Sequence, residues 1–93
     1  MGLTLSVLDD AAREELGVGD IEGIVITAVD EASEAFEKGL RAGDVITEAG
    51  QQKVASLSAF ATQVEEAREA GRKSVLLLVR RGADPRFVAL GLE

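Results

Sequence analysis

The sequence contains no histidine and no cysteine. Without histidine it lacks the usual general base at neutral pH and the commonest metal ligand, and without cysteine it has neither disulfides nor thiolate metal sites. A Ser-His-Asp or Cys-His arrangement is therefore excluded within the chain. A Ser-Lys pair remains formally open, but Lys38, Lys53 and Lys73 lie in charged stretches that we expect to be solvated. We predict no catalytic residues, no metal site, no cofactor and no enzymatic activity.

Aromatic residues are also scarce, at 3%, and no apolar run reaches the 18 residues that would suggest a membrane span. The first ten residues lack the basic start and apolar core of a signal peptide. The net charge of −7 argues against nucleic acid and anionic membranes as partners, because phosphate binding needs clustered lysine and arginine. The 93 residues suit one domain, whose core must consist of Leu, Val, Ile and Ala.

Short apolar segments alternate with turn and cap signals along most of the chain. Residues 2–8 alternate in polarity, which predicts a half-buried strand, and Asp9 or Asp10 can cap a short helix that ends at Leu16. A second helix is predicted from Ser33, with Glu34 and Lys38 paired four residues apart. Further strands are expected at 24–29, 44–48, 74–79 and 86–90, with a turn at 50–51.

The longest predicted helix begins at Ser56 or Ser58 and ends before Gly71. It carries one apolar stripe, at Leu57, Phe60, Ala61, Val64 and Ala67. The element order β-α-β-α-β-α-β-β predicts a small α+β domain, a partly open barrel or sandwich capped by helices.

Three short motifs suggest chemistry but are explained more simply by structure. Residues 17–23, GVGDIEG, have the wrong spacing and order of elements for a dinucleotide loop. Residues 71–74, GRKS, lack the upstream glycine of a phosphate loop, and Asp9–Asp10 lack the alternating acids of a calcium loop. We interpret these as a connection, a helix stop and a helix cap.

A binding module remains. The first strand has no obvious hairpin partner, so we expect one of its edges to be open beside the apolar stripe of the long helix. An extended peptide could add there as a new strand, with N–H groups near Gly2 facing a terminal carboxylate.

Residues 39–46, GLRAGDVI, resemble the AGL-x-x-GD-x-I motif of PDZ domains, in particular the C-terminal PDZ domain of bacterial HtrA-family (Do-like) periplasmic serine endoproteases. Residues 50–54, GQQKV, stand where the family has NG-x-x-V, and residues 72–82 resemble its last hairpin. The resemblance covers essentially residues 1–93 and implies one PDZ-like α+β domain, a fragment of a larger protease whose catalytic domain is absent. In the motif itself we expect Leu40 in the core and Asp44 tying a turn, which makes this stretch scaffold.

The resemblance also implies the site. Its carboxylate-binding loop corresponds to Met1, Gly2 and Leu3, and Leu57 holds a position that suggests an apolar ligand residue two before the terminus. The peptide-binding groove corresponds to Leu3, Thr4, Leu5, Leu57, Phe60, Ala61 and Val64. For each groove side chain, packing in the core is the alternative reading.

Two roles follow from the resemblance. The first is binding of unfolded or apolar C-terminal peptide segments by strand addition, which serves a serine endoprotease in periplasmic protein quality control. The alternative is a structural contact with other PDZ or protease domains of the same protein, which regulates assembly rather than binding substrate.

Overall fold

The structure is a computed structural model that describes residues 2–17, 19, 21–82 and 84–92. Three helices are present in this part of the chain: α1 (Asp10–Leu16), α2 (Glu34–Glu37) and α3 (Leu57–Glu69). The strands are β1 (Leu3–Val7), β2 (Ile24–Val29), β3 (Val45–Ala49), β4 (Gln52–Lys53), β5 (Ser74–Arg81) and β6 (Asp84–Gly91).

The strands form one antiparallel sheet in the order β1-β2-β3-β5-β6, with β4 paired to β3. The sheet is open, because β1 and β6 lie at its two ends and pair on one side only within the described residues. The predicted α+β, partly open architecture is thereby confirmed.

Helix starts follow the predicted cap residues. Asp9 is the cap of α1, and its carboxylate accepts from the Ala12 N–H at 2.8 Å. Ser33 caps α2 and Ser56 caps α3 in the same manner. In each case a short polar side chain satisfies an N–H that has no partner within the helix.

The short strand β4 is the one element that the sequence did not predict. It forms because Gly50 and Gln51 both have positive φ, 60° and 70°, the geometry of a two-residue hairpin turn. The expected turn at this position is confirmed, and it returns the chain along β3 for two residues.

Helices cover the two faces of the sheet unequally. The main core lies on the face covered by α2 and α3 and contains Ile24, Ile26, Leu40, Ile46, Phe60, Val64, Leu77 and Leu90. On the other face, α1 packs over β2 and β3, with Ala12 and Leu16 against Leu8, Val25 and Val45. The same face of β5 and β6 carries partly exposed side chains, Leu76 and Phe87 among them.

Residues 39–46 form the predicted scaffold. Leu40 is fully buried, and Asp44 is only 1% exposed. The Asp44 carboxylate accepts from the Arg41 N–H at 3.0 Å and from Arg81 Nε and Nη2 at 2.8 and 2.9 Å. These hydrogen bonds and the opposite charge of Asp44 raise the pKa of Arg81 above its ordinary value. The buried carboxylate thus joins the start of β3 to the end of β5.

The predicted Glu34–Lys38 pair is wrong. Ion pairs within the described residues join Arg13 to Asp10, Arg68 to Glu65 and Arg81 to Asp44. The Glu34 carboxylate instead accepts from the Gly91 N–H at 2.6 Å. The hydrogen bond to the end of β6 outweighs the predicted ion pair, because an exposed i,i+4 ion pair on a helix contributes only about 0.2–0.5 kcal/mol.

Candidate functional site

The site begins with β1, whose side chains alternate as predicted. Leu3 and Leu5 are partly buried and pack against the main core, whereas Thr4 and Ser6 are exposed. Because side chains alternate across a strand, this placement directs the two leucines toward the layer that contains α3. An apolar strip therefore runs along β1 beside the helix.

The backbone of β1 leaves every second residue facing the open edge. Gly2 O accepts from the Asp30 N–H at 2.8 Å, so the Gly2 carbonyl points toward β2. Leu5 lies opposite Ile26, whose N–H and C=O are both taken on the β3 side, by Asp44 O at 2.8 Å and the Gly43 N–H at 2.7 Å. In an antiparallel ladder these facts place the backbone groups of Leu3 and Leu5 at the open edge.

A bulge marks the middle of this ladder. The register shifts between Thr4 and Leu5, and Thr27 is the additional residue on β2. Its hydroxyl donates to Thr4 O at 3.2 Å, so the Thr4 carbonyl is engaged on the β2 side. The bulge leaves the alternation along β1 intact, since the extra residue lies on the other strand.

Gly2 lies in the turn before β1, at a position that has no room for a larger residue. Its φ is +77°, and a Cβ at this position would overlap Ser33 Cβ and lie 2.7 Å from Ser33 Oγ. Ser33 cannot retreat easily, because its hydroxyl donates to Asp30 O at 2.6 Å and accepts from the Phe36 N–H at 3.3 Å. The turn before β1 is thus held against the start of α2.

The helix side of the groove is supplied by α3, which packs beside β1. Leu57 begins the helix, and its side chain is 41% exposed. Ala61, one turn later, is exposed and small. Phe60 and Val64 are buried in the main core and form the floor beneath them.

Met1 lies outside the described residues, so the carboxylate-loop prediction can be located only at Gly2 and Leu3. The predicted groove residues fall into three groups: the open strand, the exposed helix face and the core. Leu3, Thr4 and Leu5 lie on the open strand, and Leu57 and Ala61 lie on the exposed part of the helix stripe. Phe60 and Val64 lie in the core, where they support the groove from below.

Sequence reasoning missed the contacts that hold this site together. The hydrogen bond from Asp30 to Gly2, the close packing of Ser33 on Gly2 and the Thr27 bulge all join residues more than twenty positions apart. No local pattern signals them. The positive φ of Gly2 had a signal, a glycine at the start of an otherwise β-prone segment.

A separate cleft of about 730 Å³ lies on the opposite flank of α3, beside the β3–β4 turn. Its lining is polar, with Gln51, Gln52, Gln63, Glu66 and Arg72. An apolar peptide end would not be favoured there, because these groups would lose their hydration. The candidate groove is defined by a strand edge and a helix face, and it does not coincide with this cleft.

The described residues contain neither a metal-binding cluster nor a membrane-spanning helix. Among the described residues, no group of three or more acidic side chains is arranged to hold a metal ion. Within the same part of the chain, no helix is both long enough and apolar enough to cross a membrane.

Known proteins similar to this chain carry the same architecture. A family model described as PDZ domain matches residues 1–90. The PDZ domain of HtrA3 bound to a phage-derived ligand, FGRWV, superposes with a TM-score of 0.76 at 23% identity, covering 98% of this chain and 81% of that one. The HtrA-type protease AlgW with a tripeptide gives a TM-score of 0.70 at 25% identity, covering 97% of this chain and 29% of the protease.

Curated relatives are much longer. A protein of Bartonella henselae named probable periplasmic serine endoprotease DegP-like is 43% identical over 68 residues, which is 73% of this chain and 14% of the relative. A protein of the same name from Rickettsia conorii is 33% identical over 89 residues, 95% of this chain and 17% of the relative. The chain thus spans under one-fifth of the length of these relatives.

Proposed function

The chain belongs to the PDZ domain family, a family of non-catalytic peptide-binding modules, and from that premise we propose that it binds apolar C-terminal or extended polypeptide segments by strand addition to β1. One observation carries the proposal: the backbone groups of Leu3 and Leu5 face an open edge beside the exposed Leu57. A strand edge next to an apolar helix face offers both main-chain pairing and side-chain pockets.

Main-chain pairing supplies the first part of the affinity. A ligand strand antiparallel to β1 exchanges hydrogen bonds with Leu3 and Leu5, while Thr4 and Ser6 stay paired with β2. Each such bond contributes about 0.5–1.5 kcal/mol net. The pairing does not depend on ligand sequence, so it suits a module that meets many different unfolded chains.

Side-chain burial supplies the second part. The last ligand side chain enters between Leu3, Leu5 and the α3 stripe over the floor of Phe60 and Val64, and Leu57 favours an apolar residue two positions earlier. One or two buried apolar side chains add about 1.5–3 kcal/mol each. Association costs at least about 4 kcal/mol, so the expected affinity lies on the order of micromolar to millimolar.

The terminal carboxylate of the ligand is assigned to the turn before β1. Gly2 holds a positive φ there and is fixed against Ser33, which keeps the turn N–H groups in one orientation. Backbone N–H groups of such turns capture anions without a charged side chain. The predicted contribution of Met1 belongs to this loop as well.

The longer relatives support a proposal for the role in the whole protein. Since similar proteins from Bartonella henselae and Rickettsia conorii are named periplasmic serine endoproteases, we place this domain in a periplasmic serine endoprotease that acts in protein quality control. In that protein the domain holds unfolded segments near a catalytic domain located elsewhere in the chain.

A titration with short peptides tests the proposal. NMR spectra of the labelled chain are recorded with an apolar-ended peptide as the free acid and as the C-terminal amide. We expect shifts at Gly2, Leu3, Leu5 and Leu57 with the acid, and weaker or no shifts with the amide. Leu57→Ala should weaken binding, whereas Leu76→Ala, a matched exposed leucine outside the groove, should not.

Absence of shifts at millimolar peptide would refute peptide binding. That outcome would favour the alternative role, a structural contact with other PDZ or protease domains of the same protein.

A further inference from the structure

The second edge of the sheet, β6, is longer and less protected than β1. It pairs with β5 over eight residue pairs without a bulge. Proteins usually blunt an exposed edge with proline, charge or a bulge. In β6 the proline and the charged residues are confined to its first three positions, Asp84, Pro85 and Arg86, and residues 87–91 are uncharged.

Hydrogen bonds on the β3 side of β5 show which backbone groups face this edge. Phe87 lies opposite Leu78, whose carbonyl accepts from the Thr47 hydroxyl at 3.3 Å on the β3 side. Ala89 lies opposite Leu76, whose carbonyl accepts from the Gly50 N–H at 2.8 Å on that same side. Since neither β5 carbonyl points toward β6, the N–H and C=O groups of Phe87 and Ala89 face outward.

The ends of the edge are closed. The Gly91 N–H donates to the Glu34 carboxylate at 2.6 Å, and Pro85 has no N–H. Only the segment around Phe87 and Ala89 therefore offers complete donor–acceptor pairs within the described part of β6. Phe87 is also 67% exposed, and its side chain lies on the same sheet face as α1, over β6, whereas α1 packs over β2 and β3.

We propose that this edge pairs with β6 of a second copy of the chain across a twofold axis. With Phe87 of one copy opposite Ala89 of the other, each N–H and C=O of both residues finds a partner, which gives four intermolecular hydrogen bonds. In this register Arg86 faces Leu90, so no two like charges meet.

The charge distribution favours a second copy at this edge rather than elsewhere. The chain as a whole is strongly acidic, which opposes self-association. β6 itself carries one aspartate and one arginine, and the acidic helices α1 and α3 pack over other strands. The acidic helix α2 contacts β6, and its Glu34 lies at the Gly91 end of the strand, beyond the Phe87–Ala89 segment. The uncharged segment around Phe87 and Ala89 thus lets two copies meet without placing acidic side chains of β6 opposite one another.

The expected association is weak. Stable dimers bury about 1,200–2,000 Å² in total, and a contact of a few edge residues per copy buries less. We expect a dissociation constant on the order of hundreds of micromolar. It should fall as salt screens the net charge of the two copies. The contact uses none of the backbone groups proposed to bind peptide, because β6 and β1 are the two end strands of the sheet.

Sedimentation velocity of the 93-residue chain over a concentration series tests the proposal. We expect a monomer–dimer equilibrium that Ala89→Pro abolishes, because it removes an edge N–H that does not bond to β5. Leu76→Lys is the matched control: it charges the same sheet face one strand inward, so edge pairing should survive it. Circular dichroism verifies that each variant is folded.

Amide exchange of the unsubstituted chain gives a second readout that does not depend on a variant. Protection should rise with concentration at Phe87 and Ala89 and stay constant at Val88. A chain that remains monomeric near millimolar concentration overturns the proposal. So does a dimer that survives Ala89→Pro or is lost with Leu76→Lys, since either result would locate the contact elsewhere.

Discussion

Two regions of this domain each contain a glycine next to a leucine, but they differ in where their polar groups find hydrogen-bond partners. In the scaffold region, residues 39–44, Leu40 is fully buried and the Asp44 carboxylate has partners from Arg41 and Arg81. In the groove region, Gly2 to Leu5, the leucines are half-buried and their backbone groups face an open edge. The polar groups of the scaffold region have hydrogen-bond partners within the fold. The backbone groups at the edge of the groove region face outward, where a ligand strand can bond to them.

This difference explains why the most recognisable stretch of the sequence is not the functional one. A self-contained turn requires particular residues at fixed spacing, because each group must meet its partner within the fold. An open edge binds through backbone groups, which nearly every residue has, so it requires no distinctive sequence motif. Substitutions in the scaffold should therefore act through stability, and substitutions in the groove should change binding, with or without a change in stability.

The largest expected effect is that of Leu40→Ala. Leu40 is 0% exposed, and removing its side chain leaves a cavity that costs about 3–4 kcal/mol of the free energy of unfolding. Urea denaturation measures the loss. The matched control is Leu57→Ala, the same chemical change at a 41% exposed leucine, which should cost less than about 1 kcal/mol. Equal losses for the two variants would contradict the division between scaffold and groove.

Asp44→Asn should come next. The substitution removes the charge that pairs with Arg81 and weakens the acceptor for the Arg41 N–H, at a cost of about 1–3 kcal/mol. Arg81 is partly exposed and can be hydrated, which keeps the cost below that of stranding a buried charge. Asp10→Asn is the control, because Asp10 also pairs with an arginine at 2.9 Å but is fully exposed. Denaturation midpoints should move for Asp44→Asn alone.

Gly2→Ala tests the turn that leads into the groove. Alanine there must adopt a φ of +77° and displace Ser33, which we expect to cost about 2 kcal/mol and to weaken peptide binding more than tenfold. Gly17→Ala supplies the control, with a φ of +66° but nothing within 4 Å of its Cβ, and should cost about 1 kcal/mol without affecting binding. Comparable peptide affinities for the two variants would show that the turn does not contribute to the binding site.

The smallest effect is the loss of ligand contact in Leu57→Ala. One partly buried apolar contact corresponds to about 1 kcal/mol, or roughly a fivefold rise in the peptide dissociation constant. Isothermal titration calorimetry or NMR shifts can measure it. Leu76→Ala, at an exposed leucine of β5, should leave the dissociation constant unchanged. If both substitutions weaken binding alike, the ligand does not lie along α3.

Much of the fold was predictable because its signals are local. Caps such as Asp9 and Ser56, the α3 stripe and the turn at Gly50–Gln51 each depend on residues within a few positions of one another. The resemblance of the motif at 39–46 to PDZ domains predicted how these elements are arranged in the fold.

The remaining features depend on pairings that the chain makes at long range. Glu34 binds the end of β6 rather than Lys38, and Arg81 reaches Asp44 across the sheet. Which β1 residues face the open edge follows from the pairing of Ile26 with the β3 side, which no periodicity reveals. The predicted groove residues could be named from the resemblance, but their division into edge, helix face and floor required the structure.

Amide hydrogen exchange along β1, with and without a saturating apolar-ended peptide, tests the central claim most directly. Strand addition predicts new protection at Leu3 and Leu5, whose N–H groups face the open edge, and little change at Thr4 and Ser6, which already face β2. Uniform protection along the strand, or none at Leu3 and Leu5 while the peptide is bound, would contradict it.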